Sequence, residues 1–261
     1  MLLTIDIGNT NITIGGYIED SLAFTARLAT DARRTADQYA IEIRDILHIY
    51  GYSYKELDDV IICSVVPIVS RGIRNAFKNL CGIEPMILGP GVKTGLNIKI
   101  DNPAQLGADL AAGAVGALAI YEMPCIIIDL GTASTISVLG KNGDFLGGAI
   151  AAGINLTSEA LAQKTTLLPM VNIEAPENVI GTNTVDSMKS GLVIGAAAML
   201  DGMISRIEKQ LGSTATVVAT GGLAREVLPF CERDIIFNDT LLLDGLKIIY
   251  HKNKKNKPKL I

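Results

Sequence analysis

Apolar and polar positions alternate in recognisable rhythms along the chain. The run 2–7 is almost wholly apolar and reads as a buried strand, and 11–18 reads as a second. Gly8-Asn9-Thr10 between them has the chemistry of a hairpin turn. Over 36–50 the apolar residues Tyr39, Ile43, Ile46 and Leu47 recur at helical spacing. A short strand over 60–66 stops at Pro67, a helix is expected over 69–80, and 85–88 gives another short strand before the loop Gly89-Pro90-Gly91. Residues 103–121 are rich in Ala and Gly and predict a helix packed closely on a neighbour, because small side chains let backbones approach. The pattern restarts after Pro124, with strands at 125–129, 134–139 and 145–150 and helices at 153–163 and 184–211, the latter amphipathic in its second half. A strand at 215–220 runs into Gly221-Gly222, followed by a short helix at 223–228 and a last one at 241–250.

The segment Ile5-Asp6-Ile7-Gly8 recurs as Ile128-Asp129-Leu130-Gly131. In both places an apolar strand ends in Asp-x-Gly, then small hydroxyl or amide residues, then a second strand. The chain therefore reads as two related α/β halves, each opening on a hairpin with an aspartate at its bend. The expected division is 1–117 and 118–261.

Composition narrows the class. At 261 residues, 49% hydrophobic and 19% charged, the chain can bury a large core, built from Ile, Val, Leu and Ala since Trp is absent. The net charge is −4, and Lys252, Lys254, Lys255, Lys257 and Lys259 all lie in the basic tail 252–261. The rest is strongly acidic, a poor surface for nucleic acid, so no nucleic-acid partner is expected. The tail reads as a solvated terminus. The cysteines Cys63, Cys81, Cys125 and Cys231 are not at metal-ligand spacings, and Cys63 and Cys125 read as small core residues. With no disulfide framework, no signal peptide and no uninterrupted membrane-length apolar run, a cytoplasmic protein without a membrane partner is expected.

Candidate chemistry centres on the two bends. A glycine-containing bend can aim backbone N–H groups at an anion, and Thr10 and Thr132 add hydroxyl donors. A carboxylate beside such a cradle repels phosphate unless a cation lies between them, as Mg²⁺ does when it takes one or two carboxylates together with nucleotide oxygens. Facing one another, two such hairpins would hold a triphosphate. One copy of Asp-x-Gly-x-Thr is most simply a turn; two copies at equivalent places carry more weight. Gly140-Lys141 lacks the remainder of a P-loop, and Gly89-Pro90-Gly91 lacks that of a dinucleotide turn. Asp109 is the lone charge between Pro103 and Tyr121, either a general base or a carboxylate favouring a helix N-terminus. Thr184 precedes a helical run and could equally be its N-cap. Arg27, Arg33 and Arg34 form a basic cluster that reads as a solvated loop, with a role against an acceptor carboxylate as the alternative.

Asp6-Ile-Gly-Asn-Thr10, Ser64-Val-Val-Pro67, Asp101-Asn-Pro103 with Gly107-Ala-Asp109, Asp129-Leu-Gly-Thr132, Gly147-Gly148 with Gly153, Gly181-Thr-Asn-Thr184 and Thr220-Gly-Gly222 together resemble type III pantothenate kinases. These are members of the acetate and sugar kinase, Hsp70 and actin superfamily. The resemblance implies two ribonuclease-H-like domains with mixed sheets flanked by helices. It also implies transfer of phosphate from ATP to pantothenate, the first step of coenzyme A synthesis. By the same resemblance Asp6, Ile7, Gly8, Asn9, Thr10, Asn11, Ile12 and Thr13 would hold ATP phosphates, with Asp6 near Mg²⁺, through water. Thr132 would contact ATP, and Gly221 and Gly222 would lie near adenosine. Asp129 would bind K⁺ or NH₄⁺. Gly107, Ala108, Asp109 and Leu110 would line the pantothenate site, with Asp109 as base and Thr184 also touching the acceptor. A homodimer is implied as well. The sequence departs from many relatives at Leu110, where they carry Arg, and at Ala152, where they carry Pro. Two alternatives follow: a kinase of the same superfamily for another small hydroxylated acid, and a non-catalytic transcriptional accessory protein of this fold.

Overall fold

A computed structural model describes residues 1–254. Lys252 and Lys254 fall in the last helix, while the expected tail residues Lys255, Lys257 and Lys259 lie outside the described residues. The chain divides into two compact units. One is built from Met1–Leu96, Asn102–Gly116 and the chain from Thr240 on, the other from Asn97–Asp101 and Ala117–Asp239.

The first unit has a mixed five-stranded sheet. Its strands are β1 (Leu2–Ile7), β2 (Asn11–Ile18), β3 (Ser21–Ala29), β4 (Asp59–Ser64) and β5 (Met86–Ile87), in the order β3-β2-β1-β4-β5. β1, β2 and β3 form an antiparallel meander, and β4 runs parallel to β1. Alternation along β1 sorts its side chains to opposite faces. Leu3, Ile5 and Ile7 pack in a cluster with Tyr39, Ile43 and Leu47 of α1 (Ala36–Ile49) and Val69, Ile73 and Phe77 of α2 (Pro67–Cys81). Leu2 turns the other way, with Ile61 and Cys63 of β4, toward Ala112 and Val115 of α3 (Ala108–Ile120) and Leu243, Leu246 and Ile249 of α7 (Leu241–Lys254).

Local chemistry fixes the helix ends. Thr35 caps α1 through a reciprocal capping box with Gln38. Pro67 opens α2, and Gly82 closes it in the left-handed region at φ 73°. The Ala/Gly-rich stretch is a helix from 108 to 120, later than the expected start at 103. Residues Pro103–Gln105 instead make a 3₁₀ turn capped by Asn102, since Pro103 and the cap direct the chain into a separate turn. The close approach predicted for this helix is to α7: a Cβ on Gly116 would collide with the Leu241 carbonyl, and one on Gly245 with that of Ala112. α7 thus belongs with the first unit although it ends the described chain.

The second unit repeats the plan. β6 (Cys125–Leu130), β7 (Ala133–Leu139), β8 (Phe145–Ala152), β9 (Thr216–Thr220) and β10 (Ile236–Phe237) lie in the order β10-β9-β6-β7-β8. β6, β7 and β8 form the antiparallel meander, and β9 runs parallel to β6. Ile126, Ile128 and Leu130 pack with Leu192, Leu200 and Ile204 of α5 (Thr184–Leu211) and Ala224 and Val227 of α6 (Ala224–Val227). α4 (Ile154–Lys164) follows β8. α5 is long and apolar enough to cross a membrane by length and composition. In its latter half Leu200 and Ile204 are buried while Arg206, Lys209 and Gln210 are exposed, the amphipathic pattern read from sequence.

Candidate active site

In the first unit, β1 and β2 are held in register by the pairs Asp6↔Thr13 and Ile7↔Ile12. The bend between them is closed by Gly8 N–H donating to the Asn11 carbonyl at 3.0 Å. Thr30 braces it from the end of β3: its hydroxyl donates to the Gly8 carbonyl at 2.7 Å, and its N–H to the Thr10 carbonyl at 2.9 Å. Ile7 and Ile12 are fully buried, so their side chains anchor the hairpin and leave only backbone for a ligand. Asn9, Thr10 and Asn11 are exposed, and Asp6, Gly8 and Thr13 are half-buried.

Asp109 sits in the first turn of α3, which opens with Ala111 N–H donating to the Gly107 carbonyl at 3.0 Å. Its Oδ1 accepts from Leu110 N–H at 2.9 Å. A Cβ on Gly107 would lie 2.5 Å from that oxygen, so the glycine leaves the carboxylate its place. Both readings of Asp109 meet here, because a residue at a helix N-terminus is also half-buried and able to reach a ligand.

Asp6 and Asp109 have a common neighbour. Cys63 of β4 stands opposite Asp6 in the parallel register and is fully buried. Burial first, then the nearby charges of Asp6 and Asp109 and a hydrogen bond to Asp6, push its thiol well above the ordinary value. The charges of the first hairpin's carboxylate and of the helix carboxylate thus both act on one buried thiol.

In the second unit, Asp129 pairs with Thr135 of β7 on one side and Thr220 of β9 on the other. Gly221 follows at φ 101°, and a Cβ there would stand 2.7 Å from Asp129 Oδ1 and 2.6 Å from Leu130 N. Only glycine combines that backbone with that proximity. The exposed Thr132 lies in the bend, and its carbonyl accepts from Gly153 N–H at 3.1 Å. Asp129, Thr132 and Gly221 therefore share one end of this sheet, and exposed Gly222 continues from it.

Thr184 lies elsewhere in the second unit. It is the first residue of α5, but the cap is Asn183, whose side chain accepts from Asp186 N–H at 3.0 Å. Thr184 is thus not the N-cap that the sequence left open. It lines a cavity of about 620 Å³ together with Thr157, Leu161, Leu168, Ser187 and Met188. Of the basic cluster, Arg33 pairs with Asp31 at 3.0 Å, Arg34 pairs with Glu42, and Arg27 is exposed on β3.

Cys63 and the cavity residues of α4 were not singled out by sequence. The signal for Cys63 was available: β1 and β4 both read as buried strands, and parallel pairing of their ends sets position 63 beside position 6. Among the described residues no group of three or more His, Cys, Asp or Glu is placed to hold a metal ion. The half-buried Asp6 at the end of β1 is a donor of the kind Mg²⁺ takes, one carboxylate with water and phosphate oxygens completing the shell.

Two mixed sheets of like topology, flanked by helices and each carrying an aspartate at the end of its first strand, define an α/β fold of the actin-like ATPase class. Solved structures of that form include a Campylobacter jejuni protein assigned to the Baf family of transcriptional activators. It has a TM-score of 0.62 at 19% identity, over 97% of this chain and 99% of that one. Another is the activator of 2-hydroxyisocaproyl-CoA dehydratase from Clostridium difficile with bound ADPNP, at 0.54 and 16% identity, over 100% of this chain and 99% of that one. The chain belongs to the type III pantothenate kinase family, whose pattern matches residues 2–206. A relative named type III pantothenate kinase from Halalkalibacterium halodurans is 41% identical over 253 residues, covering 97% of this chain and 100% of the relative. The activity of the family is ATP-dependent phosphorylation of pantothenate in coenzyme A synthesis.

Proposed function

We propose that the chain transfers the γ-phosphoryl group of ATP to the primary hydroxyl of pantothenate, with Asp109 as general base. Residues 6–13 hold the phosphates through backbone N–H groups of the bend and the hydroxyls of Thr10 and Thr13. Thr132 adds a hydroxyl, and Gly221-Gly222 admit the adenosine. Gly107, Ala108 and Leu110 bind the acceptor beside Asp109, and Thr184 also touches it. With one Asp109 oxygen engaged by Leu110 N–H, the other accepts the hydroxyl proton.

Asp6 is the residue that would hold Mg²⁺, through water, and the ion supplies charge neutralisation to the phosphates when bound. Asp129 would hold K⁺ or NH₄⁺, its carboxylate supplying a hard oxygen ligand to such an ion. We assign the protein to the cytoplasm on its cysteine usage and its likeness to the family, and take it as a homodimer on that likeness alone.

What supports this reading is the likeness to the family together with the place of Asp109 in the first turn of α3, half-buried and with one carboxylate oxygen engaged by Leu110 N–H. The test is an assay of purified protein with ATP, Mg²⁺, K⁺ and pantothenate, with 4′-phosphopantothenate as the expected product. Turnover of another hydroxylated acid but not of pantothenate would overturn the acceptor assignment, where Leu110 is the departure to suspect.

A further inference from the structure

We infer that Thr30 is a positioning residue for the ATP phosphates: from the end of β3 it holds two peptide groups of the first bend so that their N–H groups, and not their carbonyls, face the ligand. The inference rests on the assignment of residues 6–13 to the phosphates.

Three observations carry it. First, Thr30 bonds the bend at both ends. Its N–H donates to the Thr10 carbonyl at 2.9 Å, one step beyond the last β2·β3 pair Asn11↔Ala29, and its hydroxyl crosses to the β1 side and donates to the Gly8 carbonyl at 2.7 Å. Second, both peptides are trans, and a trans peptide is planar with its C=O and N–H pointing in opposite directions. The Gly8 carbonyl engaged by Thr30 therefore directs the Asn9 N–H away from Thr30, and the engaged Thr10 carbonyl does the same for the Asn11 N–H. Asn9, Thr10 and Asn11 are exposed while Thr30 is half-buried, so the side away from the brace is the side open to a ligand. Third, the brace is itself fixed. Ala29 before it ends β3, and the Asp31 carbonyl after it accepts at 2.9 Å from the hydroxyl of Tyr39, a buried residue of α1. A peptide in a glycine-containing bend meets little steric resistance to rotation. A rotated Gly8–Asn9 plane would present a carbonyl oxygen where phosphate needs a donor. The Thr30 hydroxyl opposes that rotation before the ligand arrives, and so acts by preorganisation.

Thr30→Val keeps the branched shape and the backbone bond to Thr10 but removes the hydroxyl. In calorimetric titration with Mg²⁺ and a non-hydrolysable ATP analogue it should bind about three- to tenfold more weakly than the parent, the size of one hydrogen bond. Its affinity for adenosine, which has no phosphate to reach the bend, should stay within about twofold. KM for ATP rises by the same factor as the analogue's affinity falls, while kcat and KM for pantothenate stay within about twofold. Thr30→Ser, which keeps the hydroxyl, should bind the analogue within about twofold of the parent. A hydroxyl that served stability alone would lower the denaturation midpoint without separating the analogue from adenosine. Should Val unfold the protein, Thr30→Ala repeats the measurements with less side-chain volume. Unchanged affinity of the Val variant for the analogue, equal losses for analogue and adenosine, or a Ser variant as weak as Val overturns the inference. Thr10→Val separates the two levels of failure. If neither it nor Thr30→Val weakens binding of the analogue, the bend does not hold phosphate. If Thr10→Val weakens binding and Thr30→Val does not, only the role of Thr30 is lost.

Discussion

Gly221 lies against Asp129 so closely that a Cβ on the glycine would stand 2.7 Å from the carboxylate Oδ1. The glycine is also at φ 101°, a conformation that side chains rarely adopt. Gly221→Ala therefore loads both the backbone and the proposed cation ligand. The backbone part should cost about 1–3 kcal/mol, visible as a lowered denaturation midpoint. If Asp129 holds a monovalent cation, the same variant also needs more K⁺ for half-maximal rate. A loss of stability with an unchanged K⁺ requirement separates the two effects.

Asp129 itself makes the sharper test. Asp129→Asn keeps the shape and removes the charge that would attract the cation. We expect replacement of K⁺ by Na⁺ to slow the parent enzyme and to leave the variant, already slow, unchanged. Equal rates of the parent in K⁺ and Na⁺ would remove the assignment.

Asp109→Asn should leave ATP binding nearly intact and lower kcat by about 10²–10⁴-fold, the span attributed to a positioned general base. Calorimetric titration with a non-hydrolysable ATP analogue checks the first part and initial rates the second. Unchanged turnover would show that Asp109 serves only the helix N-terminus.

Part of this site was legible in the sequence because its signals are local. The echo of Asp6-Ile-Gly in Asp129-Leu-Gly marked both bends, and each bend joins antiparallel partners a few residues apart. The Ala/Gly content of α3 announced its close packing for a simple steric reason, later met at Gly116 and Gly245. What escaped was set by partners distant in sequence or by weak burial. β3 was missed because an edge strand with only Phe24 buried carries little apolar rhythm. β10 has only two residues. Cys63 read as a small core residue and is one, fully buried with Leu2 and Ile61, but its place opposite Asp6 comes from a register with a strand far away in sequence. The membership of α7 in the first unit follows from packing on α3 and β1, to which no local pattern points.

The α3–α7 crossing gives a stability prediction free of any catalytic assumption. A methyl group on Gly245 would collide with the Ala112 carbonyl, which is backbone and has no rotamer to yield. Gly245→Ala should destabilise the protein by about 1–3 kcal/mol, the usual penalty of overpacking, despite the better helix propensity of Ala. Gly191 of α5, where an added methyl would meet nothing within 4 Å, is the control. Gly191→Ala should be neutral or stabilising by up to about 1 kcal/mol. Chemical denaturation of both variants checks the contrast.

The alkaline limb of stability should depend on Cys125. It is fully buried in β6, and burial pushes its thiol from 9.0 up to about 12. The unfolded chain therefore loses this proton first as pH rises. Stability from the neutral thiol is complete below pH 9 and is lost progressively as pH climbs toward about 12. Through that window the loss approaches about 1.4 kcal/mol per pH unit for this one group. Tyr17 and Tyr250, whose phenols are pushed up by burial and by their bonds to Asp244 and Asp59, add to the decline only above their ordinary value of 10.0. The diagnostic interval is thus the lower part of the window, between the thiol and phenol values. Cys125→Ala should be less stable at neutral pH, because it leaves a small cavity, but its stability should fall less steeply across that interval. Urea denaturation of both proteins at several alkaline pH values measures the slopes, and parallel curves would show that Cys125 contributes nothing to the alkaline limb.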